Sequence, residues 1–193
     1  MSTDKEDLQS TNLEEDDEAK TGIWGLFKET VSIIVIAFLL SLVLKAFVIE
    51  ARVIPSGSML PTIQLNDRVL VNKFIYRFQT PERFEVIVFE PPAETGHHDD
   101  FIKRVIGLPG DTVEVKAGKV FINGEALTEN YLKEEPNYNF GPVQVPADSL
   151  FVMGDNRNRS FDSHLWNTWL TLDHVKGKAF YTYWPLNRLD VLK

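Results

Sequence analysis

Apolar and polar positions along the 193 residues follow three successive patterns. Residues 1–22 hold almost no large apolar side chain, and such a segment cannot bury enough surface to offset the entropy of ordering, so it is expected to be a disordered acidic tail. From Thr30 to Leu44 the chain reads TVSIIVIAFLLSLVL without a charge, and through Ile49 the run reaches twenty residues if Lys45 is admitted. Twenty helical residues rise about 30 Å, the thickness of a bilayer's hydrocarbon core, whereas fifteen rise only about 22 Å. The longer run predicts a transmembrane anchor within 23–50, with Lys45 snorkelling to one headgroup layer and Trp24 and Phe27 at the opposite interface. A buried helix of a soluble domain is one competitor. A removable signal peptide is another, but the stretch KAFVIEAR (Lys45 to Arg52) offers no clean pair of small residues at −3 and −1, and the segment follows a long acidic tail.

Beyond the anchor, over 51–193, apolar positions come in short runs bounded by turn residues, the mark of strands. Arg68 to Phe74, Val86 to Phe89, Phe101 to Ile106, Leu150 to Met153 and Lys178 to Tyr183 are strand candidates. Val113 to Val115, Lys119 to Ile122 and Glu125 to Leu127, joined by Ala117-Gly118 and Asn123-Gly124, read as a meander, because Asn-Gly favours the type I′ turn that matches strand twist. Only Trp166 to Val175 suggests a further helical turn. The expected fold class is therefore mostly β, an antiparallel β catalytic domain with an N-terminal transmembrane helix, without the alternating helices of an α/β hydrolase.

The net charge of −8 changes little once it is divided. Residues 1–20 carry eight acids and two lysines, a sum of −6, which leaves −2 for the rest and no basic face for nucleic acid. The absence of cysteine excludes disulfides and thiol catalysis. His97-His98-Asp99-Asp100 follows Pro91-Pro92 and reads as a solvated loop, not a metal site, since adjacent histidines splay apart in extended chain. No metal or other cofactor is expected.

Residues 55–63, PSGSMLPTI, place Ser58 in a turn built by Pro55, Gly57 and Pro61, where a hydroxyl projects and neighbouring N–H groups can converge on one oxygen. A serine needs a base to attack an amide. In the strand Phe101 to Ile106, Lys103 shares a face with Phe101 and Val105, and Arg104 shares the other with Ile102 and Ile106. Periodicity does not choose between them, but arginine stays protonated and cannot serve. Lysine near neutrality needs its pKa lowered by roughly three pH units, about 4 kcal/mol, and burial is the usual source.

The blocks PSGSMLPTI, NDRVLVNKFIYRF, FIKRVIGLPGDTV and GDNRNRSFDSHLW, in this order behind an N-terminal anchor, resemble the type I signal peptidase family of bacteria and organelles, a family of Ser/Lys dyad membrane proteases. The resemblance runs from Val31 to the YWPLNR segment ending at Arg188. It implies Ser58 as nucleophile and Lys103 as general base, with an oxyanion hole formed by the Ser58 N–H and the Ser56 hydroxyl. It further implies Ser160 as the group orienting the lysine, Asp162 and Arg157 as supporting charges, and Ile54, Pro55, Met59, Ile63, Phe101 and Ile102 around shallow pockets. Three positions depart from the family pattern: Asn158 where many members have aspartate, His164 where they have arginine, and Asn167 where glycine is common.

The activity so implied is removal of N-terminal signal peptides, with small residues at −1 and −3, from exported preproteins at a lipid bilayer. Lys20 and Lys28 against Lys45 and Arg52 nearly tie the positive-inside rule, so an extracytoplasmic catalytic domain, in the cell or thylakoid membrane, rests on the resemblance. Three alternatives stand beside it. One is a Ser58–His164–Asp162 hydrolase, the aspartate and histidine lying on one face of a strand. The second is a non-catalytic membrane-tethered β module that binds peptides. The third, a self-cleaving repressor, is disfavoured by the anchor and by the lack of a DNA-binding segment.

Overall fold

A computed structural model describes residues 24–42 and 48–192; the expected acidic tail and Lys45 lie outside them. The chain divides into two units, 1–46 and 47–193. The described part of the first is one helix, α1 (Trp24–Leu42), long and apolar enough to cross a membrane, with Ile33, Ile34, Ile36 and Phe38 exposed along it. The predicted run to Ile49 is too long: Ile49 already belongs to a strand, because its backbone pairs in register with Asn72.

The second unit is built of twelve strands: β1 (Ile49–Val53), β2 (Arg68–Asn72), β3 (Val86–Phe89), β4 (Phe101–Gly107), β5 (Thr112–Lys116), β6 (Lys119–Ile122), β7 (Glu125–Ala126), β8 (Phe140–Gln144), β9 (Ser149–Met153), β10 (Leu170–Thr171), β11 (Val175–Trp184) and β12 (Asp190–Val191). The larger sheet runs β1-β2-β11-β3-β4-β9-β10 with β12 on β11, and the smaller runs β7-β6-β5-β8. Every pairing is antiparallel.

The centre of the larger sheet is covered on both faces. Val86 and Val88 of β3 join Val69, Val71 and Ile102 in one buried cluster, whereas Ile87 and Phe89 join Val105, Leu150 and Trp166 in another. Strands buried on both sides read as unbroken apolar runs, which is why VIVF lacks alternation. The smaller sheet turns Val113, Val115, Val120 and Ile122 inward onto Ile106, Phe151 and Met153.

Where local chemistry is strong, the expected elements form. Asn123 and Gly124 both take positive φ, at 54° and 88°, as a type I′ turn requires. The first strand candidate stops early, at Asn72, because the Asn72 carboxamide oxygen accepts from the N–H groups of Phe74 (2.9 Å) and Ile75 (3.1 Å) and starts a 3-10 turn. Within the expected stretch Trp166 to Val175 a 3-10 turn forms at Leu172–His174, and a further short helix, α2 (Ser163–Trp166), forms just upstream. Asp162 caps its start by accepting from the His164 N–H, and Asn167 ends it at a φ of 55°.

Candidate active site

Ser58 sits in the turn that follows β1, and the turn is held from the opposite side of the sheet. Asn156, just beyond β9, donates its backbone N–H to the Ser58 carbonyl (3.0 Å) and its side-chain amide to the Gly57 carbonyl (2.9 Å). Among the described residues the Ser58 N–H donates to no other group, so it remains free to bind an oxyanion. The Ser56 hydroxyl, on the exposed side of the turn, lies 3.4 Å from Ser58 Oγ, longer than a normal hydroxyl hydrogen bond.

Lys103, on β4, reaches Ser58 from beneath. Its Nζ lies 2.9 Å from Ser58 Oγ and 3.1 Å from the Ile102 carbonyl, and the residue is only 4% exposed. Burial pushes its pKa down to about 8, although the charges of Asp162 and Asp155 pull the other way. The Phe101 ring, 5.1 Å from Nζ, belongs to an aromatic cluster with Phe89, Phe161 and Trp166 that walls the lysine from water.

Gly154 is the joint between this pair and the charges behind it. Its N–H donates to Asp162 Oδ2 (2.9 Å), and its carbonyl accepts from Arg157 Nε (3.0 Å). A Cβ here would collide with Ser160 Oγ and the Ser58 carbonyl, so only glycine permits the approach. Arg157 forks onto Glu129 (2.7 and 3.2 Å), and Asp162 receives the His164 ring at 2.6 Å. Asp162 and Arg157 therefore do not pair with each other; both grip Gly154.

Beside them, Arg104 forks onto Asp155 (2.9 and 2.7 Å) with both side chains fully buried, and Thr62, just beyond the Ser58 turn, donates to Asp155 at 2.5 Å. Sequence reasoning used Arg104 only as the residue that is not the base and gave Asp155 no role. The signal was present, since an arginine flanked by apolar residues in a central strand requires a buried carboxylate.

Several expected positions move. Met59 and Ile63 were expected to line substrate pockets but are fully buried in the core, because the turn folds back through the Ile63 N–H to the Met59 carbonyl. Ile54, Pro55, Phe101 and Ile102 do border open space: a cleft of about 340 Å³ holds Pro55, Ser56, Ser58, Phe101, Ile102 and Lys103, and an adjoining one of about 350 Å³ adds Ile54 and Val53. The Ser160 hydroxyl is buried without a hydrogen-bond partner, so the bond expected between it and Lys103 is not made; the hydroxyl is turned onto Gly154 instead.

His97, His98 and Asp99 are exposed, as expected of a solvated loop, and the His97 ring also packs on Phe101 (5.2 Å) and Phe161 (5.3 Å) and walls the cleft beside Ser58. Asp100 anchors that loop through Arg52 (2.8 Å) and Lys176 (2.6 Å). The alternative triad is not assembled. The His164 ring stacks on Tyr138 at 4.2 Å and borders a separate pocket with Phe140, Phe151 and Trp169, whereas the side-chain neighbours of Ser58 Oγ are Lys103 and Ser56.

Comparison with known proteins shows the family to which the chain belongs. Residues 27–184 match the family described as signal peptidase, peptidase S26. A signal peptidase I of Leptolyngbya laminosa is 47% identical over 169 residues, covering 85% of this chain and 83% of the relative. A probable signal peptidase I-2 of Synechocystis sp. is 48% identical over 161 residues, covering 82% and 73%. A chloroplastic thylakoidal processing peptidase 1 of Arabidopsis thaliana is 37% identical over 162 residues, covering 80% of this chain and 47% of that protein. A family match over most of the β domain, with relatives nearly half identical along most of both chains, makes this chain a member of the S26 signal peptidase family.

Proposed function

We propose that this chain is a membrane-bound serine endopeptidase that removes N-terminal signal peptides from exported preproteins, with Ser58 as nucleophile and Lys103 as general base. The observation that carries the reading is a lysine Nζ 2.9 Å from a serine Oγ in a site dry enough to push the lysine down to about 8. Neutral Lys103 takes the Ser58 proton as Oγ attacks the scissile carbonyl carbon. The oxyanion so formed lies against the Ser58 N–H and the Ser56 hydroxyl, which rotates from its exposed position to meet it. The Lys103 ammonium then gives its proton to the leaving amine, the C–N bond breaks, and an acyl-Ser58 remains. Water attacks that ester, giving one proton to Lys103, which returns it to Ser58 Oγ as the product leaves as a carboxylic acid and loses its remaining proton to solvent.

The remaining roles follow from unsatisfied groups. A Lys103 ammonium has three donors and uses two, while the buried Ser160 hydroxyl has no partner; a rotation of Ser160 toward Nζ during turnover would satisfy both and orient the lysine. An extended substrate lying along β1 would place alternate side chains against Ile54, Pro55, Phe101 and Ile102. The shallow clefts there favour small residues at −1 and −3.

The chain is membrane-associated through its apolar helix. We place the catalytic domain, from Ile49 at the start of β1 onward, on the extracytoplasmic side of a cell or thylakoid membrane, following an acidic tail of residues 1–22 and an anchor that ends before β1. Exposed Val53, Trp184, Leu186, Leu189 and Val191 offer an apolar surface to lipid. The test is cleavage in detergent of a preprotein carrying an Ala-x-Ala site, with N-terminal sequencing of the product. A single cut after the second alanine, lost in Ser58→Ala, is expected; peptide binding without any cut by wild type would make the protein a binding module.

A further inference from the structure

Two buried carboxylates, Asp155 and Asp162, act on Lys103, a third, Glu129, lies behind them on Arg157, and the three are compensated differently. Asp155 is held by Arg104, and Glu129 by Arg157, both permanently charged. Asp162, fully buried, is held by a histidine: His164 Nδ1 lies 2.6 Å from Asp162 Oδ1, and the His164 side chain is itself only 9% exposed. The other carboxylate oxygen, Oδ2, takes the Gly154 N–H. Asp162 therefore has both oxygens engaged away from Lys103, whose own partners are Ser58 and Ile102. Its charge is still felt by the lysine and favours the ammonium.

We infer that His164 is a positioning residue that, by holding Asp162 in this orientation, sets the pH at which Lys103 becomes a base. The inference rests on Lys103 being the base. In either protonation state the imidazole can present an Nδ1–H to Oδ1, drawing negative charge toward itself. Without it, Oδ1 keeps only the long 3.4 Å contact from the His164 N–H. A buried carboxylate missing a donor seeks another, and the Lys103 ammonium, which already feels the Asp162 charge, has one donor unused. Pairing there would hold the lysine protonated to higher pH.

The neighbouring groups do not offer the same control. Tyr138, stacked on the imidazole, is pushed up by burial and stays neutral. Arg157 and Glu129 neutralise each other, as do Arg104 and Asp155. His97 faces Lys103 only across the Phe101 ring. Among the described residues, Asp162 is the one of these three carboxylates held by a histidine and not by an arginine.

The experiment is kcat/KM against pH, from 6 to 10, for the full-length enzyme in detergent acting on an Ala-x-Ala preprotein. Wild type is expected to show an acidic limb near 8. His164→Ala should move that limb alkaline by about half to one pH unit, so that activity at pH 7 falls about three- to tenfold while activity at pH 9.5 stays within about twofold. His164→Gln, whose amide can donate to Asp162, should restore the wild-type limb. In an Asp162→Asn background, His164→Ala should shift nothing, because the charge it controls is gone.

An equal loss at every pH would reduce His164 to a structural brace and overturn the inference, as would a shift that persists with Asp162→Asn. If His164→Ala does not fold, the comparison of His164→Arg with His164→Gln decides: the permanent cation should give the lower limb, and the reverse order contradicts the proposal. A wild type that cleaves without any limb near 8 would refute the lysine base itself, and this inference with it; a limb near 8 that no His164 variant moves would refute the inference alone.

Discussion

Lys103→Met should make the protein more stable at neutral pH while abolishing its activity, and the gain should shrink as pH rises. The native site lowers the lysine from 10.5 to about 8, so between those values the unfolded chain holds a proton that the folded one does not. Stability of the wild type therefore rises with pH across that window. The cost of the buried ammonium is fully present below about 8 and gone above about 10.5. At 1.36 kcal/mol per pH unit the full cost is about 3 kcal/mol, and about 2 kcal/mol of it is removed between pH 7 and pH 9.5. Methionine fills a similar volume without a charge, although it gives up the hydrogen bonds to Ser58 and Ile102, worth about 1 kcal/mol each. The difference between the two pH values cancels that loss. The assay is denaturant unfolding of both proteins in the same detergent at pH 7 and 9.5. A stability difference that closes by about 2 kcal/mol is expected. A difference that is flat with pH would show that the lysine is not depressed, and the reasoning from burial would fail.

Three further outcomes follow from the same geometry. Gly154→Ala should remove most activity while leaving a folded protein, because the new methyl displaces Ser160 and the Ser58 carbonyl; cleavage rate against circular dichroism checks it. Asp155→Asn leaves Arg104 buried without its counter-charge and should destabilise the domain by about 3–5 kcal/mol, read by denaturant unfolding. Ser56→Ala should lower kcat by about 10²-fold with little change in KM, since its hydroxyl meets only the oxyanion; an unchanged kcat removes it from that role.

How much was legible in the sequence depended on how local the cause was. The meander of β5, β6 and β7 is written in Ala117-Gly118 and Asn123-Gly124, where turn chemistry acts over two residues. β8 was not expected: Gly141 and Pro142 weaken its strand pattern, yet it pairs only with β5, and an edge strand tolerates proline. β1 was missed because Ile49 closes the apolar run and was assigned to it, although Ile49, Ala51 and Val53 alternate with Glu50 and Arg52 as a strand does.

At the site, Ser58 and Lys103 could be named from chemistry and from the ordered motifs, and the structure brings their side chains within hydrogen-bond reach. The ion pairs Arg104–Asp155 and Arg157–Glu129 join residues far apart in the chain, so a local pattern can say that Arg104 needs a carboxylate but not which one. Met59 and Ile63 failed as pocket residues for a related reason. Alternation says that an apolar side chain is buried, but not whether it is buried against the core or against a substrate.

The most direct test of the dyad is the cleavage rate of an Ala-x-Ala preprotein in detergent at pH 9.5 for wild type and Lys103→Ala, with folding of the variant checked by circular dichroism. A folded Lys103→Ala enzyme at least about 10³-fold slower than wild type is the expected result. Cleavage by Lys103→Ala within tenfold of wild type, or abolition by His164→Ala at this pH instead, would contradict the account.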